Sequence, residues 1–324
     1  MTSAIRVHET GGPEVLKWEQ VSVAEPGPGQ VRLRHGAVGL NFIDVYFRIG
    51  LYPTELPFTP GLEASGVVEA VGDGVTELSA GDRVAYAAPP VGAYSEMRLM
   101  PADRLVKVPD GVSDEVAAAM MLKGMTAHYL LRRTYRVKAG DTILFHAAAG
   151  GVGLIACQWA KHLGATVIGT VGSDEKAELA AAHGCDHPIV YTRENFVERV
   201  KAITGGEGVP VVYDSVGKDT FMNSLDCLRP LGIMVLFGQS SGPVPPIDPG
   251  ILAPKGSLFL TRPTLMTYTA KRDDLVVAAE ELFEVVQSGA VKLEINQRFA
   301  LKDAAEAHRA LEARQTTGST ILTV

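Results

Sequence analysis

The segment Phe145-His-Ala-Ala-Ala-Gly-Gly-Val-Gly-Leu154 constrains this chain more than any other. A short apolar run, Thr142–His146, leads into it. The stretch that follows, 152–163, has apolar residues at 152, 155, 156, 159, 160 and 163, which is helical spacing. A strand, a glycine turn and an amphipathic helix in that order are what a dinucleotide-binding turn requires. Its pattern is Gly-x-Gly-x-x-Gly. Ala148, Gly150 and Gly153 take the three places, so alanine replaces the first glycine. The second glycine lets a pyrophosphate approach the backbone, and the third lets helix and strand pack closely. The helix start at Gly151, Val152 and Gly153 offers unpaired N–H groups and the positive end of the helix dipole. An ordinary strand-to-helix turn is the plainer alternative, but the context on both sides favours a nucleotide.

The same alternation continues along the chain. Strands are expected at 166–171, 187–191, 209–214, 233–238 and 256–262, with helices at 194–204 and 219–228. Ser173 can cap a further helix, with Asp174 and Glu175 in its first turn and Gly184 past its end. Repeated β–α units predict an α/β fold with a doubly wound parallel sheet. An NAD site usually places Asp or Glu at the end of the second strand. Here that position reads Thr170-Val-Gly172-Ser173, with no acid. Ser173, Lys176 and Tyr191 are suited instead to a 2′-phosphate, by hydroxyl, by charge and by a donor with a flat face. The expected cofactor is NADPH.

The flanking sequence has a different texture. Residues 1–110 carry short β-like runs such as 30–34, 66–71 and 82–86, broken by Gly and Pro, which predicts a β barrel or sandwich. Residues 110–135 read as helix, as do 273–288 and 302–313, and Thr320–Val324 reads as β. The charge is 30 Lys+Arg against 37 Asp+Glu, a net −7, which argues against nucleic-acid or anionic-membrane partners. Cys157, Cys185 and Cys227 form no CxxC and no Cys/His cluster, so neither a disulfide framework nor a zinc site is expected. No apolar run nears the roughly 18 residues of a membrane span, and MTSAIRVHET lacks the apolar core of a signal peptide. A cytoplasmic, soluble protein is expected.

Six segments together carry a resemblance across nearly the whole chain. They are Gly39-Leu-Asn-Phe-Ile-Asp-Val-Tyr46, Gly61-Leu-Glu-Ala-Ser-Gly66, Gly92-Ala-Tyr-Ser-Glu96, Lys123-Gly-Met-Thr-Ala127, Ala147-Ala-Ala-Gly-Gly-Val-Gly153 and Tyr213-Asp-Ser-Val-Gly217. In order and spacing the chain resembles the zinc-free, zeta-crystallin-like quinone oxidoreductases of the medium-chain dehydrogenase/reductase superfamily. The resemblance implies a discontinuous GroES-like β-barrel catalytic domain, 1–124 and 266–324, and a Rossmann domain, 125–265, with the active site in the cleft. In zinc-dependent relatives the metal segment reads Gly-His-Glu-x-x-Gly-x5-Gly-x-x-Val. Gly61, Glu63, Gly66, Gly72 and Val75 follow it, but Leu62 stands at the histidine. Asn41 and Leu122 stand at the other ligand positions, and the four-cysteine structural lobe is missing. No metal is therefore expected.

The resemblance also implies site residues. Asn41, Tyr46 and Tyr52 line the substrate side, with Asn41 bonding the quinone oxygen or the nicotinamide carboxamide, and the tyrosines stacking or donating a proton. Thr126 and Tyr129 lie behind the nicotinamide. Phe237, Gly238, Gln239 and Ser240 hold its edge, and Ser215 lies near the ribose. Arg262 reaches the nicotinamide side and Arg314 the adenosine phosphates. His128 and His146 are expected to be structural. The function implied is metal-independent NADPH:quinone reduction. Reduction of activated C=C bonds, or a non-catalytic NADPH-binding regulatory or RNA-binding role, is the alternative. A homodimer joined through the apolar Ser257-Leu-Phe-Leu260 sheet edge is expected.

Overall fold

Period-two burial along an 11-residue strand, Gln30–Leu40, organises the N-terminal part of the chain. Val31, Leu33, His35 and Ala37 turn inward while the residues between them face outward or lie half-buried. The computed structural model describes all 324 residues. They divide into two compact units: Met1–Met125 with Thr269–Phe283 and Leu293–Val324, and Thr126–Tyr268 with Glu284–Lys292.

In the first unit a seven-stranded sheet runs in the order Ile295–Ala300, Ser319–Thr323, Gln30–Leu40, Glu63–Val71, Arg83–Ala87 and Val106–Lys107. Met97–Pro101 pairs with the long central strand off that path. Ile5, Val31, Leu33, Val68, Tyr86 and Leu322 belong to its core. The C-terminal segment is tied in by charge as well as by pairing. Arg48, fully buried at the end of the helix Phe42–Arg48, bonds both carboxylate oxygens of Glu312 at 2.8 Å. Glu312 ends the helix Ala304–Glu312.

The second unit holds a six-stranded parallel sheet. Its order is His187–Val190, Thr166–Val171, Thr142–His146, Val209–Asp214, Leu228–Leu236 and Phe259–Thr261. In chain order this is 3-2-1-4-5-6, the Rossmann arrangement, whose direction reverses beside the strand Thr142–His146. Ligands of such sheets bind at the carboxyl ends of the strands at that reversal, so His146 and Asp214 mark the place. Leu144, Ile168, Ile189, Val212 and Met234 fill the core beneath.

Several elements differ from the sequence reading. The sixth strand shrinks to Phe259–Thr261, because Gly256 and Ser257 take positive φ angles of 112° and 54° and turn the chain first. The helix expected over 219–228 is confined to Phe221–Leu225, since the next strand claims Leu228. The helix Asp114–Tyr129 continues as a π-helical turn, Leu130–Thr134. No helix is long and apolar enough to cross a membrane.

Candidate active site

The glycine turn is built by backbone bonds. Ala148 N–H donates to Thr170 O at 3.0 Å, and Gly150 N–H to Ala147 O at 2.9 Å. The left-handed residue of the turn is Ala147, at φ 54°, one place before the alanine aligned with the first glycine of the pattern. Gly150 then caps the helix Gly151–His162 without any side-chain bond. The first N–H groups of a helix have no partner within it, so those of Gly151, Val152 and Gly153 are left for a ligand. Gly153 cannot be replaced: a Cβ there would stand 2.3 Å from Ala147 O and 2.6 Å from Ala148 O.

Beyond the second strand, Gly172 is followed by Ser173, whose hydroxyl accepts from Lys176 N–H at 3.4 Å and starts the helix Asp174–Ala182. Tyr191, 42% exposed, leans over this corner, with its hydroxyl 3.2 Å from where a Cβ on Gly172 would lie. Gly172, Ser173 and Tyr191 thus form one corner, and Lys176 lies on the helix that Ser173 caps. The sequence reading missed a neighbour. Arg193 makes two 2.6 Å contacts with the Asp174 carboxylate. The hydrogen bond from Arg193 holds Asp174 below the usual carboxylate range.

At the reversal point, Asp214 accepts from Val216 N–H (2.7 Å), Gly217 N–H (3.0 Å), Thr220 Oγ1 (2.7 Å) and Ser224 Oγ (3.1 Å). The Ser224 hydroxyl donates to Asp214, so it accepts from His146 Nε2–H at 2.9 Å. His146 Nδ1 in turn accepts from Thr170 Oγ1 at 2.8 Å. Burial holds the His146 pKa below the ordinary value, and both ring nitrogens serve the core. His128 is buried against Trp159, at a ring separation of 5.8 Å. Phe237 N–H donates to Asp214 O and Ser240 N–H to Ser215 O. Gly238 lies so close to Ser215 that a Cβ there would meet its carbonyl oxygen at 2.6 Å. Ser215 and the loop Phe237–Gly238–Gln239–Ser240 therefore form one rim. Arg262 Nη1 donates to Leu236 O, at the end of the neighbouring strand. Thr126 is buried, and Tyr129 stacks on Tyr268 at 4.5 Å and 13°. Burial raises the Tyr129 hydroxyl pKa.

The first unit holds Asn41, Tyr46, Tyr52 and Arg314. Tyr46 is buried and meets half-buried Tyr52 edge-on at 5.3 Å, with Phe42 and Phe47 alongside. Arg314 sits exposed in the turn after the last helix, at φ 59°. Asn41 is buried, and its amide Nδ2 donates to Glu63 Oε2 at 2.7 Å. Glu63, fully buried, also accepts from Leu122 N–H (2.7 Å) and Lys123 Nζ (2.9 Å). The positions that bind metal in zinc-dependent relatives thus hold Leu62, Leu122 and an asparagine bonded to a carboxylate. Those residues do not fit a zinc ion, and no group of three or more His, Cys, Asp or Glu side chains is placed to hold a metal.

Asp44 adjoins this cluster. Its Oδ2 accepts from Asn41 N–H and from the Tyr94 hydroxyl, while its buried Oδ1 has no partner. Burial, partly offset by those bonds, moves its pKa from the ordinary 3.8 up to about 7.

Comparison with known proteins places these features. The residues 151–282 match the zinc-binding dehydrogenase family, and 27–110 the alcohol dehydrogenase GroES-like domain. The chain is 56% identical to a quinone oxidoreductase of Pseudomonas aeruginosa over 99% of both chains. It is 50% identical to a 2-haloacrylate reductase of a Burkholderia species over 99% of both. An Escherichia coli quinone oxidoreductase solved with NADPH superposes with a TM-score of 0.98 at 50% identity, covering 99% of this chain and 100% of that one.

The Asp44 carboxyl has a consequence for stability. Its folded pKa is raised, so the folded state holds the proton more tightly, and stability falls as pH rises from about 4 to about 7. Asp44→Asn keeps an acceptor but cannot ionise. In urea unfolding, its stability relative to wild type is expected to climb across that window by about 1.4 kcal/mol per pH unit. A difference that stays flat with pH contradicts the buried, proton-bearing carboxyl.

Proposed function

The chain belongs to the quinone oxidoreductase family of the medium-chain dehydrogenase/reductase superfamily, and from that premise we propose that it reduces quinones with NADPH and needs no metal. The observation that carries this reading is the Glu63 cluster. Where a zinc enzyme gathers ligands, this chain gathers Asn41, Leu122 N–H and Lys123 around one carboxylate. Without a Lewis acid, a simple alcohol's alkoxide has little to stabilise it. A quinone is already electrophilic, and its reduced form is a comparatively acidic phenol, so alignment of the reactants supplies most of what is needed.

NADPH, when bound, supplies the reducing equivalents. The chain's own residues bind and orient it. The first-turn N–H groups of Gly151, Val152 and Gly153 receive the pyrophosphate, beside Gly150. The corner of Gly172, Ser173, Lys176 and Tyr191 receives the 2′-phosphate. Ser215, Phe237, Gly238, Gln239 and Ser240 hold the ribose and the nicotinamide edge, with Thr126, Tyr129 and Arg262 on the same unit. Tyr46 and Tyr52 form an aromatic wall suited to a flat acceptor. Asn41 orders that wall's base through its bond to Glu63. The protein acts in the cytoplasm.

A second reading has specific support, because a 2-haloacrylate reductase is as similar to this chain as Escherichia coli quinone oxidoreductase 1, each at 50% identity. The test is NADPH oxidation with a panel of ortho- and para-quinones beside 2-haloacrylates and enones, with and without chelator. Quinone turnover that exceeds alkene turnover and ignores chelator is expected. Turnover only with the alkenes, or loss of activity on chelation, overturns the reading.

The outermost strand Phe259–Thr261 leaves Phe259 59% exposed and Leu260 39% exposed, with one backbone edge unpaired by the sheet. Such an edge pairs readily with a copy of itself, so a homodimer joined there is the expected assembly. Sedimentation at micromolar concentration should show a dimer, and Phe259→Lys should shift it toward monomer. A wild-type monomer contradicts the assignment.

A further inference from the structure

We propose that Arg193 is a specificity-determining residue for the cofactor, held ready by Asp174 and transferred to the 2′-phosphate of NADPH when it binds. This rests on the reading above that the Ser173 corner takes a 2′-phosphate.

The two strand ends that meet at this corner are tied together. Tyr191 N–H donates to Val171 O at 3.1 Å, and Thr192 Oγ1 to Gly172 O at 3.3 Å. Arg193 follows directly and grips Asp174, the residue next to Ser173. The cation is thus carried by the same short segment that carries Tyr191, and its partner by the same turn that carries Ser173.

Charge explains why the pair is there. A carboxylate one residue from Ser173 opposes a phosphate dianion at that hydroxyl. Arg193 cancels that charge through its two contacts with the carboxylate. The side chains of the pair are 58% and 64% exposed, so water already screens their attraction and the bond is easily given up. A phosphate offers the guanidinium more negative charge and the same two-pronged geometry. NADH offers nothing there, so with NADH Arg193 stays on Asp174. The residue therefore separates the two nucleotides, whereas a merely structural arginine affects both alike.

The experiment titrates NADPH and NADH by nucleotide fluorescence into the full-length wild type, Arg193→Gln, Asp174→Asn, the double variant and Lys176→Gln. Arg193→Gln is expected to weaken NADPH about tenfold or more and to leave NADH within about twofold. Asp174→Asn should bind NADPH at least as tightly as wild type. The double variant should recover part of the loss, since the repelling carboxylate has gone with the cation. Equal weakening of both nucleotides by Arg193→Gln, or no effect on either, overturns the proposal. If Lys176→Gln loses NADPH selectively and Arg193→Gln does not, the role of Arg193 fails while the NADPH reading stands. A wild-type protein that does not prefer NADPH sinks both.

Discussion

A helix can start flush against the strand that feeds it only if its first turn leaves room for that strand's last carbonyls. Gly153 provides the room here, because any side chain would stand against the oxygens of Ala147 and Ala148. The close approach keeps the helix start at the carboxyl end of the sheet, beside the reversal of strand order. Once it is met, the N–H groups of Gly151, Val152 and Gly153 face the one place where the sheet leaves a crevice. The second strand then delivers Gly172 and Ser173, and the third delivers Tyr191 and Arg193. The rim proposed to bind the nucleotide follows from one missing side chain and a parallel sheet.

The first unit depends on a different economy of charge. Glu63 would be untenable as a lone buried carboxylate; removing one partner of a buried ion pair typically costs about 3–5 kcal/mol. It is satisfied by three donors from two stretches of chain: Asn41, and Leu122 N–H and Lys123 on the helix Asp114–Tyr129. A metal would cross-link the same stretches of chain. Gly39 makes the arrangement fit, since a Cβ there would lie 2.2 Å from Glu63 Oε2. Asp44, one hydrogen bond further on, is buried more deeply than its hydrogen bonds offset, which is why it retains its proton to higher pH.

Much of this was legible in the residues. The switch from short alternating runs to strand–helix units marked the parallel sheet, and spacing within 145–154 marked the turn. Ser173 as a cap and the missing acid after Val171 were local facts, and the resemblance implied the missing metal ligands at 41, 62 and 122. What stayed hidden was long-range or conformational. Glu63 meets partners 22, 59 and 60 positions away, and no local pattern announces them. Arg193 has no neighbouring motif that sets it apart from a solvated loop arginine. Its signal was positional, two residues after Tyr191 and opposite an acid one residue after Ser173. The sixth strand was overdrawn because Ser257 has no sequence mark of its left-handed backbone.

The central claim is that the second unit binds NADPH by its pyrophosphate at the glycine turn and by its 2′-phosphate at the Ser173 corner. Phosphorus NMR of NADPH bound to the full chain tests both contacts at once. The account predicts shifted pyrophosphate resonances. It also predicts a 2′-phosphate that remains dianionic to a lower pH than in the free nucleotide, because cations surround it. A 2′-phosphate that titrates as it does in free solution would contradict the account.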